Sequence, residues 1–470
     1  LFDQEAVSTN ILDALISRTD GIPLFVEELV NMLKQKAFIH KINGVIDFIN
    51  PDKLDEVPTS LRDSLQQKLD SLVYAKETAQ LAATIGREFN YDLLVAASCH
   101  SESQVQNDIN ELVEAELIYQ QRKVTGDSYI FKHALVRDAA YESMPASHNE
   151  KLHLSIAMAL TLRFENIVNL EPLSVADHFA KAKSFIEAFK YGIRAISKLA
   201  KNSFYKEAMQ LSDIIDNWKV EIIDGNKEFG AECTLKLNNL IIPISPMLNG
   251  WAYTGLKEIA EENLELLNHG QLNDYLTLSE NDIIDIRYKS EWTLFYYHHY
   301  SGQRKIARSL GEELLTKTRL KKDRVKELIV RTTLGQAYFF DGDFDIAISS
   351  LNYVIEHYDV KKDINLSTEF GFDPYYFSAG NLMSLAALKG NFDEAIKYRT
   401  LCLEHAITTK NIPTILTAYT WGTCYFFLTF DIEGMKELNK KIPIALDESL
   451  LKFPTLIDEW KGWQIRRPSQ

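Results

Sequence analysis

A mainly α-helical protein is predicted, with a winged-helix domain carrying one β-hairpin and a degenerate helical-repeat solenoid after it. Three observations predict this. Glycine (20) and proline (12) are scarce among 470 residues, so little interrupts helix formation. Two-residue alternation occurs in one place, around residues 117–133. Beyond about Asn149 the chain reads as helix, turn, helix to its end.

Leu1 to about Ala37 reads as two helices broken at Thr19-Asp20-Gly21. Ile11, Leu12, Leu15 and Ile16 form the apolar stripe of the first; Leu24, Phe25, Leu29, Val30 and Leu33 form that of the second. Pro23 stands where the second begins, a position at which its missing N–H costs nothing. Residues 40–58 read as irregular, with turn signals at Asn43-Gly44, Asn50-Pro51 and Val57-Pro58. From Thr59, short helices follow. Leu61, Leu65, Leu69 and Leu72 lie at helical spacing, and Ala75 to Ile85 is ended by Gly86. Asn90 is read as the cap of a helix over 91–97, and Ser101 as the cap of one running to Leu117. The period then switches. "LIYQQRK" and "SYIFKH" flank "VTGD" as a β-hairpin, and "ALVRDAAYESM" closes the unit as a helix. The hairpin around Thr125-Gly126-Asp127 is predicted to be the only substantial β element.

The remaining chain carries a weak repeat, in which a small or turn residue precedes Ala or Gly by five positions. The clearest copy is "LGQAYFFDGDFDIAISSLNYVIEHY", where Leu334, Gly335, Tyr338, Gly342, Phe344, Ala347 and Leu351 fall where a tetratricopeptide (TPR) unit places them. Gly390/Ala395 is a second copy, Gly302/Ala307 and Gly255/Ala260 are moderate, and Lys183/Ala188, Ser203/Ala208 and Thr429/Gly434 are weak. Ala347 and Ala395 are expected to be buried where paired helices cross. The spacings mostly exceed the TPR period of about 34 residues. The array therefore reads as a long-helix solenoid with a concave binding face.

A net charge of -15 disfavours nucleic acid, because phosphate binding needs a basic footprint. The helix "ESQVQNDINELVEAEL", which would be the recognition helix of a DNA-binding winged helix, carries five acidic residues and no Lys or Arg. Residues 1–143 hold 13 Lys+Arg against 23 Asp+Glu. A packing role fits this winged helix better than DNA readout. No apolar run is long enough for a transmembrane helix. Cys99, Cys233, Cys402 and Cys424 lie far apart and read as free thiols of a reducing cytoplasm.

No catalytic signature is present: no phosphate-cradling G-x-x-x-x-G-K-[ST], no G-x-S-x-G, no H-E-x-x-H. The adjacent histidines of "FYYHHY" (295–300) point apart on a helix and cannot share a metal. Cys402 and His405 share a helix face but lack further ligands. Glu27-Glu28 and Glu261-Glu262 read as solvated faces.

Three strings, "RTDGIPLFVEELVNML", "VPTSLRDSLQQKLDSLVYAKETAQLAATIGREFNYDLL" and "YIFKHALVRDAAYESM", occur here in order. In this the chain resembles the STAND-type signalling ATPases, above all the ATPase and TPR region that follows class III adenylate/guanylate cyclase or kinase domains in bacterial multidomain regulators. The likeness is strong over about residues 10–165 and looser beyond. It implies three regions: residues 1–42 as the end of the helical lid of an AAA+/STAND ATPase module, 43–148 as the winged helix, and 149–470 as a TPR-like superhelix. The chain starts at Leu1, after the family's P-loop, and reads as a piece of a longer protein.

The resemblance implies that Gly21 and Pro23 match a Gly-x-Pro motif whose proline packs near adenine. It also implies that His133 stands for the histidine of a Met-His-Asp motif, which reaches the β-phosphate of ADP. Lys132 and Ala134 replace that motif's methionine and aspartate. The plainer alternatives are that Pro23 only begins a helix and that His133 only packs at a strand–helix junction. The implied cofactors, ATP or ADP with Mg, belong to the full-length protein. None is expected to bind this stretch appreciably.

The expected role is therefore non-enzymatic and regulatory, with a protein, peptide or small inducer held on the repeat surface. The implied parent is an ATPase, with its oligomerisation left open. The alternatives are the C-terminal region of a large ATP-binding transcription regulator, or a TPR protein-binding scaffold.

Overall fold

The computed structural model describes residues 6–19, 23–35, 37–42, 44–49, 61–72, 74–123, 126–225, 227–268, 277–409 and 412–441. The chain divides into two compact units, Leu1–Ala188 and Phe189–Gln470.

The first unit opens with β1 (Ala6–Val7), α1 (Thr9–Thr19), α2 (Pro23–Gln35), β2 (Ile39–Ile42) and β3 (Val45–Phe48). The strands form a small sheet in the order β1-β3-β2, with β1 parallel and β2 antiparallel to β3. This sheet corrects the reading of 40–48 as irregular and the expectation that the later hairpin is the only substantial β element; residues 50–58 lie outside the described residues. Strands of four residues are too short to show an alternating period, and Gly44 (φ 85°) sits in a tight hairpin turn. The stripe of α1 is also narrower than expected. Ile11 and Leu15 are buried with Phe25, Leu29, Val30, Leu33, Phe38, Ile46 and Phe48, whereas Leu12 and Ile16 are exposed.

The winged helix follows as α3 (Leu61–Ser71), α4 (Ala75–Ile85), β4 (Glu88–Asn90), α5 (Tyr91–Ala97), α6 (Glu102–Glu114), β5 (Ile118–Lys123), β6 (Gly126–Phe131) and α7 (Ala134–Glu142). Both expected caps are in place. Leu93 N donates to Asn90 Oδ1 (3.1 Å) and Gln104 N to Ser101 Oγ (3.3 Å). The hairpin β5–β6 is extended by β4, in the order β4-β6-β5. Phe89 of β4 stacks on Tyr129 at 5.9 Å and leans on Phe131 at 5.6 Å, so the inward face is an aromatic seam. Three helices complete this unit: α8 (Ala146–Arg163), α9 (Glu165–Leu170) and α10 (Pro172–Lys181).

The second unit is a helical-repeat array. Its helices are α11 (Phe185–Lys201, within which the division falls), α12 (Tyr205–Gly225), α13 (Lys227–Ile241), α14 (Ser245–Asn249), α15 (Thr254–Asn268), α16 (Glu280–Tyr300), α17 (Arg304–Leu320) and α18 (Arg324–Asp341). After them come α19 (Phe344–His357), α20 (Val360–Asp363), α21 (Leu366–Phe370), α22 (Pro374–Leu388), α23 (Phe392–Thr409), α24 (Ile412–Thr429) and α25 (Ile432–Lys441).

The five-residue signal has a plain cause. Lys183, Ser203, Gly302, Gly342 and Gly390 all take a left-handed backbone that ends one helix and starts the next. Five residues on, Ala188, Ala208, Ala307, Ala347 and Ala395 are completely buried. A methyl is the largest group that fits where the new helix crosses the old one. Two pairs were misregistered. The left-handed residue before α15 is Gly250, with Gly255 inside the helix, and the one before α25 is Phe430. Ala347→Leu is expected to overpack the α18–α19 crossing, costing about 1–3 kcal/mol. A thermal melt unchanged from the parent would show that Ala347 is not at a packed crossing.

Among the described residues no helix is long and apolar enough to cross a membrane.

Candidate functional site

Pro23 is the first residue of α2 and is exposed; Gly21 lies outside the described residues. His133 is the residue between β6 and α7, where the strand meets the closing helix, as expected. Its side chain does not cap α7, and its buried Nε2 has no hydrogen-bond partner. A buried, unsatisfied ring nitrogen is uncommon in a folded chain and marks a place where a polar group is wanted. The adjacent Lys132 makes the link to α2. Its Nζ lies 3.2 Å from Glu27 Oε1 and 3.0 Å from Glu116 Oε2. Burial works to lower the Lys132 pKa, but the Glu116 and Glu27 carboxylates outweigh it and hold the ammonium above its ordinary range. Glu27, read from sequence as part of a solvated face, is therefore a partner in this corner.

The other histidine and cysteine candidates are used structurally. His298 is half-buried and bonded to Gln303 (2.7 Å), while His299 is buried, so the two do point apart. His405 Nε2 lies 3.1 Å from Asp373 Oδ1, and the Cys402 thiol is pushed far up by burial. Among the described residues no group of three or more His, Cys, Asp or Glu could hold a metal ion.

One buried pair escaped the sequence reading. His153 of α8 and His178 of α10 face each other through their Nδ1 atoms at 2.8 Å, and Tyr141 OH is 2.9 Å from His153 Nε2. One Nδ1 must donate and the other accept, so the doubly charged pair cannot keep this bond. Burial pushes both imidazoles down to about 4, aided for His153 by the charge of its neighbour. Unfolded, each would take a proton below about pH 6.5. Between these values the unfolded chain binds more protons, so stability falls as pH drops from about 6.5 towards 4. The slope is at most about 2.7 kcal/mol per pH unit for two groups. Urea midpoints at about pH 7.5 and pH 5 check this. A His153→Gln/His178→Leu variant should lose much of the difference, and an equal slope in that variant would sink the assignment.

The second unit encloses a cavity of about 630 Å³, within the size range of small-molecule sites. Trp251, Phe339, Phe340, Phe372, Phe377 and Trp421 make its wall aromatic. Behind that wall Trp292, Tyr296 and Phe372 stack at 5.0–5.8 Å, with Trp251 edge-on to Tyr296 at 4.2 Å. Trp292 Nε1 donates to Thr333 Oγ1 (3.2 Å), which fixes the stack. One stripe of α24 supplies Thr414, Thr417, Trp421, Cys424 and Leu428 to the lining, and one stripe of α22 supplies Phe377, Ser384 and Leu388. No Asp, Glu, Lys, Arg or His lines the cavity among the described residues.

No family model matches the chain, and no curated protein matches it. Among solved structures it is similar to a Signal Transduction ATPase with Numerous Domains (STAND) protein with a tetratricopeptide repeat sensor, from Pyrococcus horikoshii. That match has a TM-score of 0.41 at 14% identity, covering 97% of this chain and 70% of that one. At this distance the likeness assigns no residue a role.

Proposed function

We propose that this chain is the partner- or ligand-sensing region of a STAND signal-transduction ATPase and that it governs an attached effector, an adenylate or guanylate cyclase or a kinase. The 630 Å³ aromatic cavity inside the repeat array carries the sensing half of this reading, because a cavity of this size with an aromatic wall suits a small-molecule inducer. The ordered strings of residues 10–165 support the ATPase half, and so does the partnerless Nε2 of His133. In the complete ATPase, ADP would be held by the P-loop module, and His133 would donate a hydrogen bond to a phosphate oxygen. A bond made in one nucleotide state and not the other shifts the balance between resting and active forms. Occupancy of the cavity would bias the same balance.

The test uses the full-length protein. His133→Ala should weaken ADP retention about tenfold or more, as expected for a lost hydrogen bond to a charged group, and should raise basal effector activity. Unchanged ADP retention together with unchanged basal activity would return His133 to a packing role.

A further inference from the structure

The cavity's hydrogen-bonding groups are unusual in kind, and this narrows what it takes. Ser384 Oγ donates to Gly380 O and Thr420 Oγ1 to Leu416 O, each at 3.1 Å, so both hydroxyl protons are engaged by their own helices. These two lining hydroxyls keep their lone pairs, and therefore face a ligand as acceptors. A buried acceptor without a partner lies on the same helical stripe. Asn381, fully buried between Phe377 and Ser384 on α22, donates its Nδ2 to Phe377 O (2.8 Å), and this fixes which amide atom is the oxygen; that Oδ1 has no partner.

We infer that the cavity binds one uncharged, planar aromatic molecule that carries N–H or O–H donors. Each part of that description answers a feature of the wall. The volume admits a single small molecule and not a folded peptide segment. The flat faces of Trp251, Phe372 and Trp421 favour a ring system. A lining without Asp, Glu, Lys, Arg or His offers a charged ligand no counter-charge for the hydration it gives up, which disfavours it. Acceptors whose own protons are engaged select for a donor, because a ligand lacking one leaves them unpaired. The inference deepens the sensing reading by giving the inducer a chemical class, and it rests on that reading only for its biological purpose.

The experiment is a calorimetric titration of the 470-residue chain, with amide hydrogen exchange of α22 and α24 followed in parallel since both helices line the cavity. The probes are indole, 1-methylindole and indole-3-acetate. Indole should bind at one site, 1-methylindole about tenfold more weakly for want of its N–H, and indole-3-acetate more weakly still. Thr420→Phe, which fills the cavity from its wall, should abolish indole binding. If that variant melts early, slowed exchange of α22 and α24 by indole in the parent chain gives the same answer. Equal affinity for all three probes, no indole binding at millimolar concentration, or full binding by a well-folded Thr420→Phe variant would overturn the proposal. These outcomes are independent of effector output, so the inducer class can fail while the regulatory reading stands, and the reverse.

Discussion

Asp373→Ala is expected to lower the thermal midpoint of the second unit by about 10 °C or more, from a loss of about 3–5 kcal/mol. Asp373 is completely buried and serves four donors at once. It caps α22 through Tyr375 N (2.9 Å) and Tyr376 N (3.2 Å), accepts from Tyr358 OH (2.7 Å), and lies 3.1 Å from His405 Nε2. Burial and then the Asp373 charge push the Tyr358 pKa far up, so the phenol keeps its proton and donates it. Alanine takes the acceptor from Tyr375 N, Tyr376 N and His405 Nε2 and leaves Tyr358 OH with only Asp363 O (3.1 Å). Asp373→Asn keeps the size and one acceptor and should be milder. Circular dichroism melts of both variants check the order. A loss under about 1 kcal/mol for the alanine variant would mean that water replaces the carboxylate at no penalty.

Gly371→Ala should be nearly as damaging. Gly371 has φ +77°, and a methyl placed on it would lie 2.7 Å from the carbonyl oxygen of Pro243. The left-handed backbone alone costs an L-residue roughly 1–2 kcal/mol. The second atom is main chain and cannot rotate away, so the backbone itself must shift. A total loss of about 2–4 kcal/mol is expected in urea unfolding. Since Gly371 and Phe372 line the cavity, the same variant should also weaken indole binding. A stable variant that binds normally would show that the α21–α22 corner has slack.

These two residues show where the sequence stops being informative. What repeats locally was legible: the caps Asn90 and Ser101, the hairpin, the helix ends at Gly86 and Gly342, and the alanines five residues after each turn. Each of these is set by residues within one turn of helix or one strand pair. Asp373 gave no such signal, because its meaning depends on Tyr358 and His405, which lie on either side of it in sequence and meet it only after folding. The same holds for His153 and His178, which sit in ordinary amphipathic helices and are joined by the packing of α8 on α10. The small sheet at 6–48 was missed for another reason. Its strands have two to four residues, and pairing across the Gly44 turn and with the distant β1, not internal pattern, makes them strands. The cavity was least legible of all, since its wall is drawn from Tyr205 to Leu428.

That breadth bears on how the array assembles. Successive helices such as α18 and α19, or α22 and α23, pack mainly on each other, so each pair can zip up early from contacts close in sequence. The cavity exists only once pieces more than 200 residues apart have docked. A molecule held there stabilises only the docked array, and to the extent that the cavity forms after the folding barrier it slows escape from the native state more than it speeds refolding. Under the proposed sensing role this has a kinetic meaning. The occupied array would outlast the empty one under stress or proteolysis, so its signal could persist as lifetime as well as conformation.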